Sequence, residues 1–166
     1  MKNESLNPVD CPYYLITRAS LAMTSVMKRD FTSSGYGDVK PAYLGVLMCL
    51  WMEDCMGETL AKFGKDEGMK LTDLAKCAGL EPSSMTGLID RMEKDGLVYR
   101  GDDPNDRRVN IIRLTERGAS IREAVIGIVN TMIKGAFTGI PEERMNTAKD
   151  VIRAVLNNAS RGGSHE

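Results

Sequence analysis

The sequence predicts a mainly α-helical protein that carries one small β-hairpin. Apolar residues recur every three or four positions along most of the 166 residues, which is the spacing of amphipathic helices. Only two short runs are typical of strands, and they flank a polar, charged turn. Apolar residues make up 42% of the chain, which is enough for a folded core.

Two helices are predicted at the start of the chain. The first extends from Val9 to about Phe31, and Asn7 and Pro8 supply a capping residue followed by a proline in the first turn. The second extends from about Val39 to Glu53. Three glycines and mixed charges then predict mostly loop over residues 54–68. This segment could shape a ligand pocket, contact DNA or, as we expect, be a tolerated surface insertion.

The middle of the chain predicts a helix, a turn, a second helix and then the hairpin. A short helix covers Thr72–Ala78, with Thr72 as its capping residue and Gly79 at its end. The second helix begins at Pro82 and extends to Asp95, and Gly96 stops it. The strands of the hairpin cover residues 97–100 and 109–113.

Two further helices close the chain, from about Glu116 to Phe137 and from about Pro141 to Ala159. We therefore expect a head at 38–115 and a helical dimerisation region formed by 1–37 and 116–160. The head is too small to cover all the apolar helix faces, so a symmetry mate is the economical partner. A monomeric helical bundle is the alternative. The tail, 161–166, has no apolar residue and is predicted to be disordered.

The order of helix, turn, helix and hairpin is that of a winged helix-turn-helix. In its second helix the apolar residues Met85, Leu88, Ile89 and Met92 form one stripe, so the opposite face is available to enter a major groove. The missing side chain of Gly87 either lets the helix approach the bases closely or is simply tolerated. The exposed face carries Ser83, Ser84, Thr86, Gly87, Asp90, Arg91 and Lys94.

The tip of the hairpin is strongly charged. Arginine at the tip of a narrow wing can reach the minor groove, and a solvated charged turn is the alternative interpretation. Residues 70–117 hold nine basic and nine acidic residues, so DNA affinity there must come from placement rather than from bulk charge. The charged tip residues are Asp102, Asp103, Asp106, Arg107 and Arg108.

These motifs resemble the MarR family of transcriptional regulators. The run Leu80–Val98 is similar to the family's recognition helix, and Asp106-Arg107-Arg108 followed by Leu114-Thr115 and Gly118 matches its wing. The resemblance implies a triangular homodimer on a near-palindromic operator, commonly a repressor released by a small ligand or an oxidant. It places DNA contacts at Ser83, Ser84, Thr86, Gly87, Arg91, Asp106, Arg107 and Arg108, with Asp106 orienting Arg108.

Two signals could release such a regulator from DNA. Cys11 precedes two tyrosines and invites comparison with redox-sensing relatives, although a plain surface thiol is the alternative. Arg18, Tyr43 and Trp51 are residue types that could line a cleft for a small aromatic anionic effector. A structural role in the scaffold is the alternative for each of these three.

Several other classes of protein are disfavoured. The four cysteines lack a C-x-x-C pair and the single histidine is His165, so we expect no metal and free thiols in a reducing cytoplasm. There is no Gly-rich phosphate loop or nucleophile elbow, so we expect no cofactor and no catalysis. No apolar run is long enough for a membrane span. A winged-helix protein-interaction module without specific DNA binding is the main rival function.

Overall fold

The computed structural model describes residues 7, 9–51, 68–103 and 110–162, with side chains as far as residue 159. This part of the chain is mainly helical and holds one small antiparallel sheet, which confirms the predicted fold class. A short 3-10 helix, Pro41–Tyr43, leads into the second α-helix. The elements are α1 Pro12–Ser33, α2 Leu44–Trp51, β1 Met69–Lys70, α3 Leu71–Ala78, α4 Pro82–Lys94, β2 Val98–Asp102, β3 Asn110–Leu114, α5 Glu116–Ser120, α6 Arg122–Ala136 and α7 Glu142–Gly162.

The sheet has three strands in the order β1-β3-β2, all antiparallel. Val98 pairs with Leu114 in the predicted hairpin, and Met69 pairs with Ile112 on its other side. The sequence prediction of two strands therefore missed β1. A strand of two residues is too short to show an alternating pattern, so only its partner strand reveals it.

The chain forms two compact units, residues 1–132 and 133–166. The first unit contains a continuous apolar core to which α1, α2, α3, α4, α6 and the sheet contribute. Phe31, Leu47, Met92 and Ile112 are fully buried in it. In the second unit, the described side chains of α7 are all exposed except that of Met145, which is half-buried.

Helix α1 begins three residues later than predicted. Its first residue is Pro12, in the first turn where a missing N–H is harmless, and Cys11 precedes it. Asn7 does not cap the helix, because its carbonyl oxygen accepts from the Asp10 N–H at 3.1 Å and its side chain accepts from the Val9 N–H at 3.2 Å. Asn7 therefore makes its hydrogen bonds before the helix rather than at its start.

Other helix boundaries also differ from the prediction. Thr72 lies inside α3, which begins at Leu71 and has no side-chain cap at Lys70. The predicted helix from Glu116 is two helices, α5 and α6, which are separated by a turn at Ile121. Helix α7 continues to Gly162, so the predicted tail is helical at 161–162.

Part of the prediction falls outside the described residues. The predicted features that fall outside them are the end of the second helix at Glu53, the loop as far as residue 67, most of the hairpin tip and the last four residues. Within the described ranges, no helix is both long and apolar enough to cross a bilayer. The same ranges contain no cluster of three or more His, Cys, Asp or Glu that could hold a metal ion.

Candidate nucleic-acid interface

Helix α4 is held in the first unit by one apolar stripe. Met85, Leu88, Ile89 and Met92 are buried, at 4% exposure or less, as their spacing predicts. The side chains of Ser83, Ser84, Thr86 and Arg91 are exposed on the other side of the helix. The helix therefore has a fixed inner face and a free polar outer face.

The start of α4 has no side-chain cap. Pro82 occupies the first turn, the preceding Glu81 makes no capping hydrogen bond, and the first turn contains no acidic residue. The backbone N–H groups of Ser83 and Ser84 precede the first intrahelical bond, which Met85 donates to the Glu81 carbonyl at 3.0 Å. Free N–H groups and the positive end of the helix dipole both favour a phosphate at this position.

Gly87 lies on the outer half of α4. A Cβ atom built there would meet only the Arg91 Nη1 atom, at 3.8 Å. The protein itself therefore does not require glycine at this position. Both interpretations of Gly87, closer approach to the bases and simple tolerance, stay open.

The wing begins at β2 and is tied to α4 by Arg100. Its Nη2 donates to Asp90 at 2.5 Å, its Nη1 donates to Glu93, and its backbone N–H donates to Glu93 at 3.1 Å. Asp103, predicted to lie in the solvated tip, is instead 6% exposed and paired with Lys70 at 3.4 Å. The predicted contacts Asp106, Arg107 and Arg108 lie outside the described residues.

The end of α4 is anchored by a polar network. The buried Tyr43 hydroxyl donates to Asp95 at 2.7 Å, and Arg117 donates to the Asp95 carbonyl at 2.7 Å and to the Asp38 carboxylate. Burial, helped by the hydrogen bond to Asp95, raises the pKa of Tyr43 to about 12. Burial alone would raise the pKa of Asp38, but its hydrogen bonds from Arg117 and its own backbone outweigh this and lower it.

Solved structures with this fold include proteins bound to DNA. MepR of S. aureus, solved with DNA, is 21% identical, and the match covers 89% of this chain and 98% of MepR with a TM-score of 0.72. A mutant MarR of E. coli, solved with operator DNA, is 21% identical over 92% of this chain and 99% of its own, with a TM-score of 0.73. At this identity the likeness shows the fold alone.

Other relatives are closer in sequence. CouR of Rhodococcus jostii RHA1, solved with p-coumaroyl-CoA, is 27% identical over 91% of this chain and 95% of CouR, with a TM-score of 0.68. The uncharacterized HTH-type transcriptional regulator YfiV of Bacillus subtilis strain 168 is 34% identical over 94 residues, which are 54% of this chain and about half, 53%, of YfiV. The MarR family model matches residues 44–109. Over this segment the chain is similar to the MarR family. The predicted resemblance is confirmed, and the family consists of transcriptional regulators rather than enzymes.

One feature of this chain contradicts the sequence prediction. Cys49 of α2 and Cys77 of α3 form a disulfide, although free thiols were expected. The expectation failed because the two cysteines are 28 residues apart in sequence and meet only when α2 packs against α3. Cys49 is buried, and Cys11 is a free, half-buried thiol. Cys55 lies outside the described residues.

The residues suggested for an effector cleft have partners within the protein. Tyr43 is buried against Asp95, and the Trp51 indole N–H donates to the Gly118 carbonyl at 2.9 Å. Arg18 is exposed on α1. Tyr43 and Trp51 therefore have a structural role, whereas the ligand role of all three residues stays a prediction.

Proposed function

We propose that this protein is a homodimeric, sequence-specific transcriptional repressor that binds a near-palindromic operator. The observation that carries the proposal is the outer face of α4, where the described polar side chains are exposed while the inner stripe is fully packed. A helix held in this way presents a rigid surface to a major groove, as a recognition helix must. The MarR-family fold, seen in relatives solved with DNA, supports the same conclusion.

The side chains on α4 suit two kinds of DNA contact. Ser83, Ser84 and the free N–H groups at the helix start are suited to phosphate, which sets the register of the helix on the duplex. Thr86 and Arg91 lie further along the outer face and are suited to base edges. Wing contacts by Arg107 and Arg108, with Asp106 as the orienting partner, complete the proposed interface.

Exposed apolar side chains on α1 and α7 support a homodimer. Such large apolar side chains usually mark an interaction surface when they lie together. Because both terminal helices carry them, and relatives solved with DNA share the fold, we assign them to a second copy of this chain. The exposed residues are Tyr13, Tyr14, Leu15, Ile16 and Leu21 on α1, and Val151, Ile152, Val155 and Leu156 on α7.

Release from DNA is the least constrained part of the proposal. A small, aromatic, anionic effector fits the complex of CouR with p-coumaroyl-CoA, and Arg18 is the exposed cation of α1 that we assign to it. Oxidation at Cys11 is the second route, since its thiol is free and partly accessible. Only one of these signals is needed for a repressor that responds to its surroundings.

The proposal is tested by capturing genomic fragments of the source organism on the purified protein. Wild type is compared with Arg91→Ala and with Arg29→Ala, a control that removes an exposed arginine of α1. We expect wild type and the control to recover the same few near-palindromic sites, and Arg91→Ala to recover them weakly. On a recovered duplex, log Kd should depend steeply on log salt, with a slope smaller by about 1 in Arg91→Ala if the guanidinium also neutralises a phosphate.

Two results would contradict the proposal. Recovery of no site by wild type, or DNA affinity that does not change with salt, would instead support a winged-helix module that binds a protein. A loss of binding in Arg29→Ala equal to that in Arg91→Ala would show that the outer face of α4 has no special part in recognition.

A further inference from the structure

One acidic residue lies among the side chains proposed to face DNA. Asp90 follows Ser83 by seven residues and Thr86 by four, so the three lie on the same face of α4. Its side chain is 60% exposed. An uncompensated carboxylate in this row would repel the phosphates that the neighbouring residues are proposed to bind.

Arg100 compensates this carboxylate from the neighbouring strand. Both of its terminal nitrogens are occupied, Nη2 by Asp90 and Nη1 by Glu93, and its side chain is 26% exposed. The hydrogen bond to Asp90, opposed by partial burial, raises the pKa of the guanidinium above its ordinary value. Arg100 therefore stays charged and committed to the two acids rather than available to DNA.

The same residue fixes the wing against the helix. Arg100 pairs across the ladder with Ile112, a fully buried residue of the central strand β3. A planar guanidinium that holds two carboxylates of one helix restrains both distance and angle, which a single charge does not. The position of the sheet relative to α4 thus depends on this side chain.

We propose that Arg100 is a positioning residue for DNA binding, which masks the charge of Asp90 and fixes the wing against the recognition helix without contacting DNA. The inference rests on the proposed function and explains how a head with equal numbers of acids and bases can bind a polyanion. Asp90 and Glu93 are paired internally, whereas Arg91 and Lys94 have no ion pair within the described part of the chain.

The test is a double-mutant cycle on binding to a fluorescent 30-base-pair duplex of mixed sequence in 0.1 M salt. We expect Arg100→Gln to weaken binding about tenfold, since it leaves the carboxylates of Asp90 and Glu93 unpaired and loosens the wing. Asp90→Asn should change wild-type affinity less than about twofold but restore about fivefold in the Arg100→Gln background. Asp102→Asn, an exposed acid on the same strand, is the matched control and should act equally in both backgrounds.

A conservative variant separates the positioning role of Arg100 from a general folding defect. Arg100→Lys keeps the charge but loses the two-point hold, so we expect it to weaken binding about threefold. Urea unfolding of each variant reports folding separately, and a purely structural role would lower stability without rescue by Asp90→Asn.

The failures of the two proposals are distinguishable. Equal gains from Asp90→Asn in both backgrounds would overturn the positioning role while leaving DNA binding intact. A loss in Arg100→Gln that Asp90→Asn does not recover would also overturn it, and would indicate a direct phosphate contact or a folding defect. If wild type binds no duplex at any salt concentration, the proposed function fails and this inference fails with it.

Discussion

Helices α4 and α7 are both amphipathic, but the first has its apolar face buried within the chain and the second does not. Four side chains of α4 are at most 4% exposed, whereas Val151, Val155 and Leu156 of α7 are about half exposed or more. The two helices have the same apolar spacing in the sequence. Periodicity therefore predicts that a face will be covered, and only the fold shows whether the same chain covers it.

The largest expected effect is on dimerisation, and it tests whether a second copy of the chain covers α7. Val155→Glu places a charge in the middle of its apolar face, and an uncompensated carboxylate in a closed interface costs several kcal/mol. We expect dimer dissociation to become at least about 1,000-fold more favourable, or about 4 kcal/mol. Sedimentation equilibrium measures this change.

The matched control for this change is Asn157→Glu, on the opposite side of α7. It adds the same charge and should leave the dimer unaffected. Equal dissociation in both variants would show that net charge, rather than the apolar face, controls assembly. A wild-type chain that is monomeric at micromolar concentration would contradict the proposed dimer.

The disulfide should have the next largest effect, confined to the first unit. Cys49→Ala with Cys77→Ala opens a loop of 28 residues, for which the chain-entropy model gives about 3.5 kcal/mol less stability. Urea unfolding under oxidising conditions measures the loss, and a thiol reductant should reproduce it in wild type. Cys11→Ala is the control and should be close to neutral. A double variant as stable as wild type would show that the bond adds nothing to α2–α3 packing.

Alkaline pH tests the buried hydroxyl beside α4. Because the folded-state pKa of Tyr43 is raised to about 12, its stabilising effect is complete below pH 10 and is lost as the pH rises from 10 to 12. The free energy of unfolding should fall by about 2 kcal/mol over this range. Tyr43→Phe should start about 1 kcal/mol lower and lack this decline. Urea unfolding at closely spaced pH values distinguishes the two curves.

The smallest expected effect is the loss of stability when one helix cap is removed. It is tested by comparing two threonines near helix starts. Thr115 accepts from the Gly118 N–H at 2.9 Å and donates to the Gly96 carbonyl at 2.7 Å, so Thr115→Ala should cost about 1 kcal/mol. Thr72 makes no capping bond at the start of α3, so Thr72→Ala should cost nothing measurable. Thermal unfolding measures both, and an equal loss would contradict this assignment of the caps.

The sequence predicted those features that depend on neighbouring residues. The stripe of α4, its first-turn proline and the turn at Gly96 were all correctly placed, because each follows from local spacing or backbone preference. The exposed side of α4 followed from the stripe. The resemblance over Leu80–Val98 then indicated the family before any fold was known.

The features that the sequence could not predict depend on residues that meet only in the folded protein. The disulfide joins cysteines whose helices pack together, and Arg100 reaches acids on another element. The structural role of Tyr43 could not be predicted because its partner, Asp95, is 52 residues away. Thr72 was mistaken for a cap because several threonines satisfy the local rule and only the backbone decides among them.

Gly118 and Gly87 have opposite consequences for how this protein can vary over evolutionary time. A Cβ at Gly118 would lie 2.0 Å from the Leu97 carbonyl oxygen, so every other residue there should be eliminated by selection for folding. A side chain at Gly87 would meet almost nothing of the protein, so if α4 binds DNA as proposed, the duplex alone would select among substitutions there. Gly87 is thus a position at which a duplicated gene could acquire a new target site while keeping its ancestral architecture.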